Sequence, residues 1–104
     1  MITVSQLMAI QDVAKQAVLK QYGSLEDKGG CCGFAWVDVY NVRKNEDKRP
    51  LLAAGFKRSN YDKCQKLWVS MFGQSIDMKE TYANAYASEL QKLGFTAYSG
   101  SRMD

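Results

Sequence analysis

Gly33-Phe34-Ala35-Trp36-Val37-Asp38-Val39-Tyr40-Asn41-Val42 is the stretch whose interpretation decides the fold. β-Branched and aromatic residues dominate it, glycines precede it and a charged run follows, which together predict a strand. Alternation splits it into two faces. Ala35, Val37 and Val39 point one way and are small and aliphatic; Phe34, Trp36, Asp38 and Tyr40 point the other. Such a strand suits a sheet that is covered by helices on one side and open on the other.

Working outward, Arg43 to Pro50 is a charged connection, four basic residues and two acids closed by a proline, and predicts a solvated turn. Leu51 to Arg58 alternates and predicts a second strand, with Leu52, Ala54 and Phe56 on one face and Leu51, Ala53, Gly55 and Lys57 on the other. After a turn through Ser59 to Lys63, Gln65 to Phe72 predicts a third, with Lys66, Trp68, Ser70 and Phe72 opposite Leu67, Val69 and Met71. Short connections make an antiparallel meander the simplest pairing.

Helices flank this core. Thr3 and Gln6 fit a capping box, with Ile2 and Leu7 as a hydrophobic staple. Val4, Leu7, Ile10, Ala14, Ala17, Val18 and Tyr22 then fall on one face up to Gly23. The second predicted helix starts at a capping box of Asp77 and Glu80 and carries Met78, Tyr82, Tyr86, Leu90 and Leu93 as its stripe. Gly94-Phe95 ends it as a Schellman signature, and the tail is suited to a short edge strand. The expected fold class is therefore α+β: one domain over residues 1–104, a two-layer sandwich of a three-stranded meander, with room for a fourth strand, under two helices on one face.

Composition limits the chemistry. At 104 residues, 46% hydrophobic and 24% charged, the chain is sized for one modest core. It has no histidine, which removes Ser–His and Cys–His catalysis. Cys31, Cys32 and Cys64 are odd in number and fit neither a disulfide framework nor a zinc site, so they are expected as reduced packing thiols, with no metal and no cofactor. A net charge of +3 permits a nucleic-acid partner without requiring one. The chain shows neither an apolar run of membrane-spanning length nor a secretion signal at Met1 to Gln6, so a cytoplasmic protein with no membrane partner is expected.

Two surfaces invite contact. The open face would carry Phe34, Trp36, Asp38 and Tyr40, then Lys66 and Trp68, with Gly55 and Lys57 between them on the middle strand. Small residues between two tryptophans would leave a trough for a flat ring or an inserted side chain. Exposed indoles usually mark an interface, so a homo-oligomer, with a dimer as the first expectation, stands beside a heterologous protein or a stacked base with phosphates on Lys57, Arg58 and Lys66. The second surface is the rim at the start of the last helix, where Gln74, Ser75, Lys79, Arg102 and Asp104 would hold an anion or close a structural salt bridge.

Cys32-Gly33-Phe34-Ala35-Trp36-Val37, Gln74-Ser75 ahead of Lys79-Glu80, and the terminal Ser101-Arg102-Met103-Asp104 resemble a family of small uncharacterised proteins of tailed bacteriophages. The resemblance runs from about Cys32 to the end and implies a phage accessory protein acting in the host cytoplasm; it supplies no activity. The helix–three-strand–helix order also resembles the double-stranded-RNA-binding domain. Such domains place a lysine cluster at the start of the last helix, whereas Ser75 to Glu80 has one lysine and two acids, so the order does not bring that function with it. The expected function is non-enzymatic: self-association and capture of a host or viral macromolecule through the aromatic face, including to counter host defence. Nucleic-acid binding and sequestration of a phosphate-bearing small ligand are the alternatives.

Overall fold

The computed structural model describes residues 2–26, 32–59, 63–73 and 75–103. Its elements are α1 (Val4–Tyr22), β1 (Gly33–Tyr40), α2 (Asn45–Ala53), β2 (Lys57–Ser59), β3 (Cys64–Trp68), α3 (Ile76–Lys92) and β4 (Thr96–Met103). The class is α+β, and the expected α-β-β-β-α-β order holds with one helix added. No described helix is long and apolar enough to cross a membrane.

The sheet is antiparallel throughout and runs β2-β3-β1-β4, so the expected meander is corrected. β1 pairs with β3 and β4, and β2 pairs only with β3. Since both β1 and β2 run antiparallel to β3, they are parallel to each other and cannot be joined by a tight turn. α2 is the crossover that returns the chain to the same end of the sheet, and α3 does the same between β3 and β4. From β1 onward this is the β-α-β-β-α-β arrangement of ferredoxin-like folds, with α1 added in front.

The predicted strand over Leu51 to Arg58 is divided: Leu51 to Ala53 end α2, a turn follows, and strand begins only at Lys57. Glu46 and Asp47 sit in the first turn of α2, where carboxylates favour the helix dipole. The end is fixed by a Schellman motif: Phe56 N–H donates to Leu51 O at 2.9 Å and Gly55 N–H to Leu52 O at 3.1 Å, with Gly55 at φ 105°. Leu51 and Phe56 are fully buried by this closure. Pro50 lies within the helix, where its ring removes one backbone donor.

The other helices follow their caps. The Thr3–Gln6 box forms on both sides, and Leu7, Ile10, Ala14 and Val18 of α1 are buried. α3 is capped two residues earlier than expected: Ser75 Oγ, not Asp77, accepts from the Met78 N–H at 3.4 Å. Its Schellman closure is as expected, Phe95 N–H to Leu90 O at 3.1 Å. Ala83 and Ala87 are buried on α3 and let its axis approach β1 and β4 closely, while α1 packs against α3 and α2 against α1. Ala35, Val37 and Val39 belong to the same core as Met78, Tyr82, Tyr86 and Leu90, so the aliphatic face of β1 is the covered one.

Candidate functional site: the open sheet face

β1 and β3 are the two central strands, and their register sets Trp36 directly opposite Trp68 and Asp38 opposite Lys66. The two ring centroids are 5.1 Å apart and tilted at 57°, and Phe34 meets Trp68 edge-on at 6.2 Å. Both indoles stand on the face away from the core. The expected trough between them does not exist, because no strand separates β1 from β3. Ala53 ends α2, and Gly55 lies in the turn after it, where an added Cβ would come within 3.2 Å of the Leu67 side chain. Gly55 is therefore not part of the open face. Phe72 is also displaced from it: β3 stops at Trp68, and Phe72 turns into the core at 5.6 Å from Tyr82.

Lys66 lies over both indoles. Its Nζ lies 5.0 Å from the Trp36 ring centre, 5.5 Å from that of Trp68 and 3.6 Å from Asp38 Oδ1, with both charged side chains 12% exposed. Asp38 also accepts from Trp36 Nε1 at 3.2 Å and from Cys64 Sγ at 3.4 Å. The carboxylate thus has two hydrogen-bond donors and one ion-pair partner, which makes it a structural centre of this face. An ammonium flanked by indole faces and a carboxylate is stabilised by cation–π and Coulomb attraction together.

β4 adds residues that the sequence did not place here. Trp36 lies over Gly100, where a Cβ would come within 2.5 Å of the indole. Tyr98 is exposed, opposite Asp38, and meets Tyr40 at 6.0 Å. The Arg102 guanidinium sits 5.6 Å from the Phe34 ring centre. Trp68, at 52% exposed, stands as a ridge between two depressions. One is apolar and lined by Phe34, Val69 and Arg102; the other is lined by Lys57, Arg58, Ser59 and Lys66.

The rim at the start of α3 assembles in part. Lys79 is only 6% exposed; its Nζ donates to Gly33 O at 3.1 Å and lies 5.8 Å from the Phe34 ring centre. Ser75 is buried as the helix cap, and a bridge from Cys32 to Ser75 ties this end of α3 to β1. Lys79 and Arg102 do converge on Phe34, but the lysine is engaged with a backbone carbonyl. Gln74, Asp104 and Cys31 lie outside the described residues. Cys32 and Cys64 form no disulfide among the described residues. Among the described residues no three metal-ligating side chains cluster.

Burial raises the phenols beneath the sheet. Tyr82 is pushed up to about 12, first by burial and then by the charge of Asp12; Tyr86 is raised further by burial and its neighbour Tyr82. Both stay protonated in the core at neutral pH. No family model, no curated protein and no solved structure matches this chain.

Proposed function

We propose that this chain is a non-enzymatic binding protein whose open sheet face takes up single-stranded nucleic acid. The observation behind this is the setting of Trp68, an exposed indole between an apolar depression and a basic one. A base stacked on such a ring gains about 1–3 kcal/mol whatever its sequence. Phosphates on either side of that base would meet Lys57 and Arg58 or Arg102, none of which has an ion pair among the described residues. RNA-recognition modules also stack bases on aromatic residues of a four-stranded sheet. That likeness is one of layout; the residues themselves support the proposal.

The bacteriophage resemblance gives the setting of the proposal: an accessory protein in the host cytoplasm whose bound strand is the host's or the virus's, with the countering of a defence system among its roles. Binding of a labelled single strand, followed by anisotropy over a salt series, tests it. Saturable binding is expected at low salt, with the logarithm of affinity falling linearly against the logarithm of salt and a duplex of the same length binding more weakly. Absence of binding at low salt would end the proposal.

Self-association is the second reading. A two-fold contact through the open face would set Lys57, Arg58 and Arg102 near their own copies, which opposes it. The edge of β4 favours it instead, because Thr96–Met103 leaves 8 residues of strand with no neighbour on their outer side among the described residues. Antiparallel pairing of two such edges would join the sheets of two copies. Sedimentation equilibrium distinguishes a dimer of this kind from a monomer.

A further inference from the structure

A second concavity lies at the far end of β1, beyond Tyr40, and encloses about 320 Å³. That is roughly ten water volumes at ~30 Å³ each. Val39, Val42 and Cys64 supply its apolar wall, Asn41 and Gln65 its uncharged polar groups. Four cations line it: Arg43 after β1, Lys48 from α2, Arg58 from β2 and Lys63 from the β2–β3 turn. Among the described residues no acid lines it, and none of the four cations has an ion pair there. The nearest acid of α2 in sequence, Asp47, is turned away and accepts from the Ile2 N–H at 2.9 Å.

Four like charges facing one concavity repel one another, and a low-dielectric wall focuses their field into it. Such an arrangement is stabilised by an anion of several charges. Two arginines offer planar paired donors and two lysines offer point charges, which is the donor set that phosphate oxygens suit. We propose that this cavity is a phosphate-binding site, taking the phosphates of a free nucleotide or pyrophosphate, or those at the end of a nucleic-acid strand. Trp68 is not among the residues that line it, so it does not depend on base stacking at that indole. Arg58 borders both this cavity and the basic depression beside Trp68, so the two sites are contiguous.

Titration calorimetry of the full chain with pyrophosphate at low salt is the test. One saturable site is expected, weakened at least tenfold in Arg43→Gln/Lys48→Gln and unchanged in Lys15→Gln/Lys20→Gln, which removes the same charge from α1. Thermal melts of both variants establish that they fold. Trp68→Ala should retain pyrophosphate binding, so loss of strand binding at the sheet face leaves this site standing. Strands with a 5′-phosphate and a 5′-hydroxyl identify the source: a preference for the phosphate assigns the site to a strand end, and equal affinity assigns it to the free anion. No saturable pyrophosphate binding, or equal binding by the Arg43→Gln/Lys48→Gln variant, would overturn the proposal.

Discussion

The Lys66 ammonium sits 3.6 Å from Asp38 Oδ1 and over the rings of both Trp36 and Trp68, so one cation fills the centre of a surface that is otherwise aromatic. Removing the carboxylate takes the Asp38 charge away from a cation that is nearly buried. Asp38→Asn is expected to cost about 2–4 kcal/mol, read as a lower urea midpoint at unchanged slope. Asp38→Asn/Lys66→Met, which removes both charges, should recover most of the loss. A single variant as stable as the parent would contradict this account of the face.

Gly100 is required by contact rather than by backbone angle. A methyl there would enter the space of the Trp36 indole, 2.5 Å from Cε2 and Nε1. Gly100→Ala should therefore lift Trp36 and cost ~1–3 kcal/mol through overpacking. The near-UV circular dichroism of the indoles should change with it, while the far-UV spectrum stays the same.

Much of this was legible from side-chain periodicity. The strand at Gly33 to Tyr40, its two faces, the Thr3–Gln6 cap and the Gly94-Phe95 closure all follow from local rules. α2 was missed although its end carries the same signal as α3: Leu51 and Gly55-Phe56 repeat the spacing of Leu90 and Gly94-Phe95. Alternation of Leu52, Ala54 and Phe56 imitated a strand, and Pro50 argued against a helix interior. Strand order was beyond local pattern, because pairing β1 with β3 depends on where the crossover helices lie. Hence the open face was assigned largely the right residues with the wrong spacing, and the contributions of Gly100 and Tyr98 were not seen.

Stability should fall at high pH. Tyr82 titrates at about 12 in the folded chain, against 10.0 for an ordinary phenol, so the unfolded state loses its proton first as pH rises. The stabilisation is complete below pH 10 and is lost between 10 and about 12. Tyr86, raised in the same direction, steepens the loss. Urea midpoints measured from pH 8 to 12 should be flat at first and then drop, and Tyr82→Phe should flatten the drop.

The α1 cap gives a smaller effect. Thr3 Oγ1 accepts from the Gln6 N–H at 3.1 Å, and Gln6 Oε1 accepts from the Thr3 N–H at 2.9 Å. Thr3→Ala should cost about 1 kcal/mol in chemical denaturation. A loss near zero would mean that the first turn of α1 contributes little to the fold.

The most direct measurement of the central claim is the fluorescence of Trp68 in a Trp36→Phe background, where it is the sole indole, during titration with a single-stranded oligonucleotide at low salt. Stacked bases should quench it saturably, and Trp68→Ala in the otherwise native chain should weaken binding by about ten- to a hundredfold, the equivalent of ~1–3 kcal/mol. Emission that stays constant to saturating strand, with Trp68→Ala binding as tightly as the parent, would contradict a stacking role for the open face.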